Sequence, residues 1–262
     1  MMHPPLHRDA VGIDRDSMRQ TRLRTDVLDL SFCSQLNSIF LAATEFGDAA
    51  RDFPVVFVKA GKNEKGQDEV APLAVLGVTQ NENLFVEGSG DAQVWRGRYM
   101  PAVLRTYPFC TAPMAENQFA ICLDRSWKYV GTQEGQALFD ADGQPSEFFK
   151  GVQQQLEVLE GEIARTRAIG QRLIELDLLR DMRFDATLAD GRKHTIDGFL
   201  TVDQQRFAEL KDATVLELHK NGMLGMIHSH WVSLGHMRKL VDWHFERTSA
   251  APAAAPQLTP MA

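Results

Sequence analysis

Between residues 146 and 179 apolar side chains recur at three- and four-residue steps, at Val152, Leu156, Leu159, Ile163, Ile169, Leu173, Leu176 and Leu179, with one six-residue step. A face that repeats every 3.6 residues or so predicts an amphipathic helix, and Ser146 stands where an N-cap hydroxyl would satisfy the first amides. Gly151, Gly161 and Gly170 weaken that helix locally. Upstream the pattern changes to short β-rich runs. Residues 53–60 (FPVVFVKA) and 70–79 (VAPLAVLGVT) predict two strands around the charged loop GKNEKGQDE. Residues 83–87 and 118–124 predict further strands, and Pro101 suits the first position of a short helix reaching Thr106. Downstream, residues 184–188 and 193–198 flank Asp190-Gly191 and predict a β-hairpin. Asp203 and Asp212 stand as caps of two short helices, and Asn221-Gly222 separates the second from a last helix running to Phe245. This order predicts an α+β fold: a strand-rich N-terminal half, a long central helix, a β-hairpin and C-terminal helices, without regular βαβ alternation.

Both ends read differently. Residues 1–25 are polar and broken by Pro4 and Pro5, and residues 249–262 are Pro/Ala-rich, so both are expected to be disordered tails. Residues 26–248 then form one domain, with a subdivision near 145 where the turn DADGQP marks a change of texture. At 262 residues and 44% hydrophobic content the chain can bury a real core. Its formal charge of −7 argues against a nucleic-acid partner, which would need a basic surface. No run of about 18 apolar residues is present to predict a membrane span. Asp9, Asp14 and Asp16 occupy the place where a secretion signal carries its apolar stretch, which makes the cytoplasm the default address. Cys33, Cys110 and Cys122 lack CxxC spacing and lie among apolar neighbours, as buried free thiols do.

One stretch follows neither structural period. From residue 72 to 109, and most of all in WRGRYMPAVLRTYPF, aromatics, arginines and prolines are interleaved without a repeat of two or 3.6 residues. Arginines that pair with carboxylates, beside aromatics that offer large contact area, are enriched at binding hot spots. Trp95, Arg98, Tyr99, Arg105 and Tyr107 are therefore the candidate binding residues. The same residues also suit a structural role, with the aromatics in the core and the arginines bridging carboxylates. Catalytic motifs are sparse. His230 and Ser233 share a helix face at i, i+3 and are the candidate acid/base pair. His219, His228, His230, His236 and His244 cluster near the C-terminus, but their spacing matches no metal motif, so neither metal nor cofactor is expected. The glycines of GKNEKG are spaced like a phosphate loop, yet Gln67 stands where its lysine is required.

Several separated blocks, PLAVLGVTQNENLFV, GRYMPAVLRTYPF, EGQALFDADGQPSEFF, IDGFLTVD and LHKNGMLGMIHSHWVSLGH, together resemble the bacterial SapC family over roughly residues 28–240. The resemblance implies an S-layer-associated or nutrient-uptake context and carries no agreed catalytic residues. The expected function is that of a soluble protein- or ligand-binding component of an envelope, S-layer or uptake-linked system. Its partner is then a protein or small ligand, and its address the cell surface if it is exported without a signal. The alternatives are an enzyme or pathway accessory protein acting on a peptide or small acidic substrate, and a DNA-binding regulator that uses the C-terminal helices.

Overall fold

The computed structural model describes residues 6–63, 65–114, 118–187 and 193–250. The first elements are β1 (Ala10–Gly12), α1 (Arg15–Met18), β2 (Arg22–Leu23), β3 (Ser38–Phe40), α2 (Phe46–Ala49), β4 (Val55–Lys62) and β5 (Asp68–Val75). They are followed by β6 (Val86–Glu87), β7 (Val94–Trp95), α3 (Ala102–Arg105), β8 (Phe109–Pro113), β9 (Phe119–Asp124), β10 (Val130–Gly131) and β11 (Gln136–Ala137). The long α4 (Glu147–Glu175) leads into β12 (Leu179–Thr187), β13 (Lys193–Val202), α5 (Gln204–Ala208), α6 (Asp212–Lys220), α7 (Met223–Ser233) and α8 (His236–Ala250). The α+β class predicted from the pattern is the class observed.

The main sheet is antiparallel with strand order β12-β13-β4-β5-β3. Val55, Val56 and Phe57 of β4 are buried in succession, as happens when both faces of a strand are covered. Helix α7 lies against β4 and β13, and α4 lies against β5. Ser146 caps α4 as predicted, accepting the Phe149 amide at 3.1 Å. Gly170 has a packing reason: a Cβ there would stand 2.8 Å from the Val70 carbonyl oxygen, so only glycine lets α4 approach β5 so closely. A smaller sheet, β1-β9-β8, and a strip of short strands, β10-β2-β11, form the other lobe of the fold.

Two hydrophobic clusters result. The larger holds Phe46, Phe53, Phe57 and Phe85 beneath the main sheet and the C-terminal helices. The smaller gathers Leu23, Phe109, Leu123, Trp127, Phe149 and Leu156. Each draws residues from both sides of position 145, and Tyr107 packs against both.

The structure corrects several expectations. Residues 6–25 are not a tail: Leu6 is 3% exposed, Ala10–Gly12 pair with β9, and the Arg8 and Asp9 amides donate to Asp124. Their polar sequence hid a strand whose partner lies more than a hundred residues away. The expected single last helix is two, broken at Leu234 and Gly235. The strand expected over 83–87 is reduced to β6, because the Asn83 side chain turns inward, donating to the Cys33 carbonyl and accepting the Phe85 amide. The Asp-Gly turn of the hairpin lies outside the described residues, as do residues 251–262 of the expected C-terminal tail. Among the described residues no helix is long and apolar enough to cross a membrane.

Cys33, Cys110 and Cys122 are all buried, and Cys110 faces Cys122 across β8 and β9. Burial pushes the Cys33 and Cys110 thiols up to about 12 and raises Cys122 as well. Thiols so held supply almost no thiolate at neutral pH. A disulfide reagent such as dithionitrobenzoate is expected to leave the native protein almost unlabelled and to modify all three cysteines once guanidinium unfolds it. Rapid labelling of the native protein would contradict the burial.

Candidate functional site

The arginine- and aromatic-rich segment is irregular because two distant carboxylates take over its backbone amides. Trp95 is half-buried against Phe53 and Phe85, and its indole N–H donates to the Tyr99 carbonyl at 2.7 Å. The turn between them needs Gly97, where a Cβ would stand 2.8 Å from the Trp95 Nε1 and 3.3 Å from Asp52 Oδ2. Asp52 Oδ2 accepts the Arg98 and Tyr99 amides at 2.6 and 2.7 Å. Pro101 is the N-cap of α3 and has no side-chain acceptor to offer. Glu45 replaces it: its Oε1 accepts the Ala102 amide and the Tyr99 hydroxyl, both at 2.7 Å, and its Oε2 accepts the Ala42 amide at 2.8 Å.

Tyr99 and Tyr107 are thereby fixed as hydroxyl donors to carboxylates. Burial first, and Glu45 second, raise the pKa of Tyr99, while burial and Asp124 raise that of Tyr107. The Arg105 guanidinium lies 5.6 Å from the Tyr99 ring centre and reaches its hydroxyl at 3.4 Å. Tyr107 stacks on Phe32 with ring centres 3.8 Å apart, and its hydroxyl is 3.3 Å from Asp124 Oδ2. Burial alone would raise the pKa of Asp124. Hydrogen bonds from Ser126 and from the Arg8, Ser126 and Asp9 amides outweigh that and hold it below the ordinary range.

Two cavities meet at this segment. One, of about 340 Å³, is walled by Leu28, Phe32, Leu104, Tyr107, Trp127 and Phe148. The other, of about 730 Å³, is walled by Glu45, Tyr99 and the α4 residues Gln154, Val158, Leu159 and Glu162. Arg105, Thr106 and Gln155 line both, so the cavities are two parts of one groove along α4. The Ala43 amide donates to Thr166 Oγ1 of α4 at 2.9 Å, which fixes the wall that carries Glu45.

Of the candidate binding residues, Tyr99, Arg105 and Tyr107 line this groove. Trp95 is a packing residue, and Arg98 contributes its amide while its side chain is exposed outside the groove. The carboxylate-bridging role that the sequence also allowed for Arg98 and Arg105 is taken instead by Arg96, which pairs with Glu87 at 2.9 Å and stacks 3.6 Å from the Trp243 ring. Glu45 and Asp52, which organise the segment, carry no local signal in the sequence. Their partners lie 46 to 57 residues away.

His230 and Ser233 do not join the groove. His230 is 0% exposed, its Nε2 accepts the Val202 amide at 3.1 Å and meets Thr201 Oγ1 at 2.8 Å, and its Nδ1 is 2.8 Å from the Val55 carbonyl. Accepting at Nε2 places the proton on Nδ1, where it is donated to Val55. Ser233 accepts the Val55 amide at 2.9 Å and donates to the His230 carbonyl. The pair ties α7 to β4 and β13, filling the gap where those strands share the single register pair Leu200 and Phe57. The acid/base role expected of His230 is therefore replaced by a structural one, since no solvent reaches the ring. Two other histidines tie α8 to distant segments: His236 meets the Ala50 carbonyl at 3.0 Å and His244 meets Glu82 at 2.8 Å. Among the described residues no group of three His, Cys, Asp or Glu side chains is placed to hold a metal ion.

The fold and groove thus define an α+β protein whose accessible chemistry is an arginine set among tyrosines beside an apolar cavity. The SapC family profile matches residues 13–240, and the chain belongs to the SapC family. No curated protein and no solved structure is matched.

Two substitutions test this geometry. Glu45→Ala leaves one buried and two partly buried donors without their acceptor and is expected to lower the unfolding free energy by about 2–4 kcal/mol in urea titrations. A loss well under ~1 kcal/mol would mean that water replaces the carboxylate. For His230, burial lowers the pKa to about 4 from 6.5. The unfolded chain then binds the extra proton between those values, so stability is complete above pH ~6.5 and falls toward pH ~4 by about 3 kcal/mol at most. Unfolding curves of wild type and His230→Gln at pH 4.5 and 7 are expected to show a shallower acid loss in the variant; equal slopes would contradict the assignment.

Proposed function

We propose that this SapC-family protein works by binding, as a component of an envelope, S-layer or nutrient-uptake-linked system, and that its ligand or partner presents a carboxylate to Arg105. The observation that carries the reading is the position of Arg105. It is exposed at the junction of the two cavities, and among the described residues no carboxylate lies within ion-pairing distance of its guanidinium. The tyrosine beneath it donates its hydroxyl proton to Glu45, which leaves the ring face and hydroxyl oxygen turned toward the cation. A guanidinium held in this way loses little freedom when a carboxylate docks on it bidentately. The neighbouring cavity, walled by Leu28, Phe32, Leu104 and Phe148, takes the apolar part of the same ligand. Binding is preferred to turnover because the candidate acid/base group, His230, is sealed in the core.

Trp127 lines the apolar cavity and serves as a reporter. Fluorescence titration with phenylacetate and octanoate is expected to show saturable binding. Arg105→Ala should weaken it about tenfold or more, the loss of a charge-assisted pair, whereas Arg98→Ala should leave it unchanged. Equal binding by wild type and Arg105→Ala would remove the carboxylate site. Cell fractionation addresses the context, since recovery in the cytosol alone would remove the surface-layer part of the proposal.

A further inference from the structure

We infer that the groove receives an extended peptide segment of about six residues from a partner protein, laid along α4. This rests on the carboxylate site proposed above and specifies what occupies the whole of it. Phe148 and Glu162, at the two ends of the groove, are fourteen residues apart on α4, or about 21 Å at ~1.5 Å per residue. An extended chain advances ~3.3 Å per residue, so about six residues span that length.

The chemistry along the groove is ordered. At the Phe148 end the walls are aromatic and aliphatic, and Leu28 there is 54% exposed. Arg105 follows in the middle. Beside it Gln154 and Gln155 point exposed amides from α4 into the larger cavity, where they can serve the donors and acceptors of a peptide backbone. Next comes Val158, an apolar side chain left 62% exposed on the same helix. The far end is acidic: Glu162 and Asp48 both line it. The Glu162 side chain is 27% exposed and its Oε1 is only loosely paired, 4.0 Å from Arg165, while its Oε2 is closed to solvent and has no hydrogen-bond partner among the described residues.

A small acid would use Arg105 and the apolar cavity and leave Val158 and the acidic end idle. A peptide uses all of them, with an aromatic or aliphatic residue in the smaller cavity, an acidic residue on Arg105 and a basic residue toward Glu162. Backbone contacts to a groove with side-chain pockets at intervals are an established way of recognising an extended segment.

The test uses the whole chain and fluorescein-labelled hexapeptides that carry one Phe, one Asp and one Lys in every order, with control peptides in which Asn replaces Asp or Gln replaces Lys, read by anisotropy beside phenylacetate as competitor. One order is expected to bind at least tenfold tighter than phenylacetate. Arg105→Ala should abolish the preference for Asp, Glu162→Gln should weaken the Lys-bearing peptide about fivefold, and Val158→Arg should weaken every peptide about tenfold while sparing phenylacetate. If phenylacetate binds but no order of residues is preferred, or the Lys preference survives Glu162→Gln, the peptide occupant is overturned and the carboxylate site stands. If phenylacetate also fails to bind, the site itself is overturned together with its occupant.

Discussion

Glu45 and Asp52 are carboxylates almost wholly removed from water, 6% and 8% exposed, and between them they hold the backbone of residues 98 to 102. A buried carboxylate is costly unless several donors surround it. Here the donors come from a stretch of chain that has no sheet or long helix to satisfy its own amides. Each side removes the other's penalty: the loop gains acceptors for its amides, and the carboxylates gain N–H groups in place of water. Position is the result, because Tyr99 and Arg105 stand where the loop is pinned. Lys239 extends the arrangement by donating to the Asp52 carbonyl at 2.6 Å, which ties α8 to the same point. Burial lowers the pKa of Lys239.

The groove exists because the protein has two apolar clusters with a seam between them. Tyr107 belongs to both clusters, and α4 crosses the seam, burying Leu156 in the smaller one and Leu173 in the larger. The helix thereby presents Gln154 and Val158 outward, about 200° round its axis from Leu156, with Gln155 exposed at the flank. Asp124 anchors the smaller lobe in a parallel way, gathering the Arg8 and Asp9 amides, Ser126 and the Tyr107 hydroxyl around one buried carboxylate. Carboxylates in place of regular strand pairing thus hold the irregular parts of this fold, and the candidate site lies where two such parts meet.

How much of this was legible in the sequence depends on the range of each interaction. The central helix was, since its apolar period and the Ser146 cap are local, and so were the Asp203 cap and the Asn221-Gly222 break. The paired β4 and β5 were readable from their β-branched runs. The N-terminal strand was not, because its pairing with β9 and its amide bonds to Asp124 are made across more than a hundred residues. The arginine and aromatic spacing correctly marked residues 95 to 109 as specified by something other than periodicity. It did not separate Arg105, which lines the groove, from Trp95 and Arg98, which serve packing and the backbone, because Glu45 and Asp52 decide that and look like any acidic residue of a loop. His230 misled for the complementary reason: a histidine beside a serine on one helix face has the same spacing whether it faces solvent or a strand carbonyl.

The central claim is that buried carboxylates hold residues 98 to 102 rigid under the groove. Residue-resolved amide hydrogen exchange of the native protein tests it most directly. The amides of Arg98, Tyr99 and Ala102 are predicted to exchange as slowly as those of β4 and β5, despite lying outside any sheet. Exchange at the rate of an open surface loop would show that Glu45 and Asp52 do not hold them, and would contradict the account.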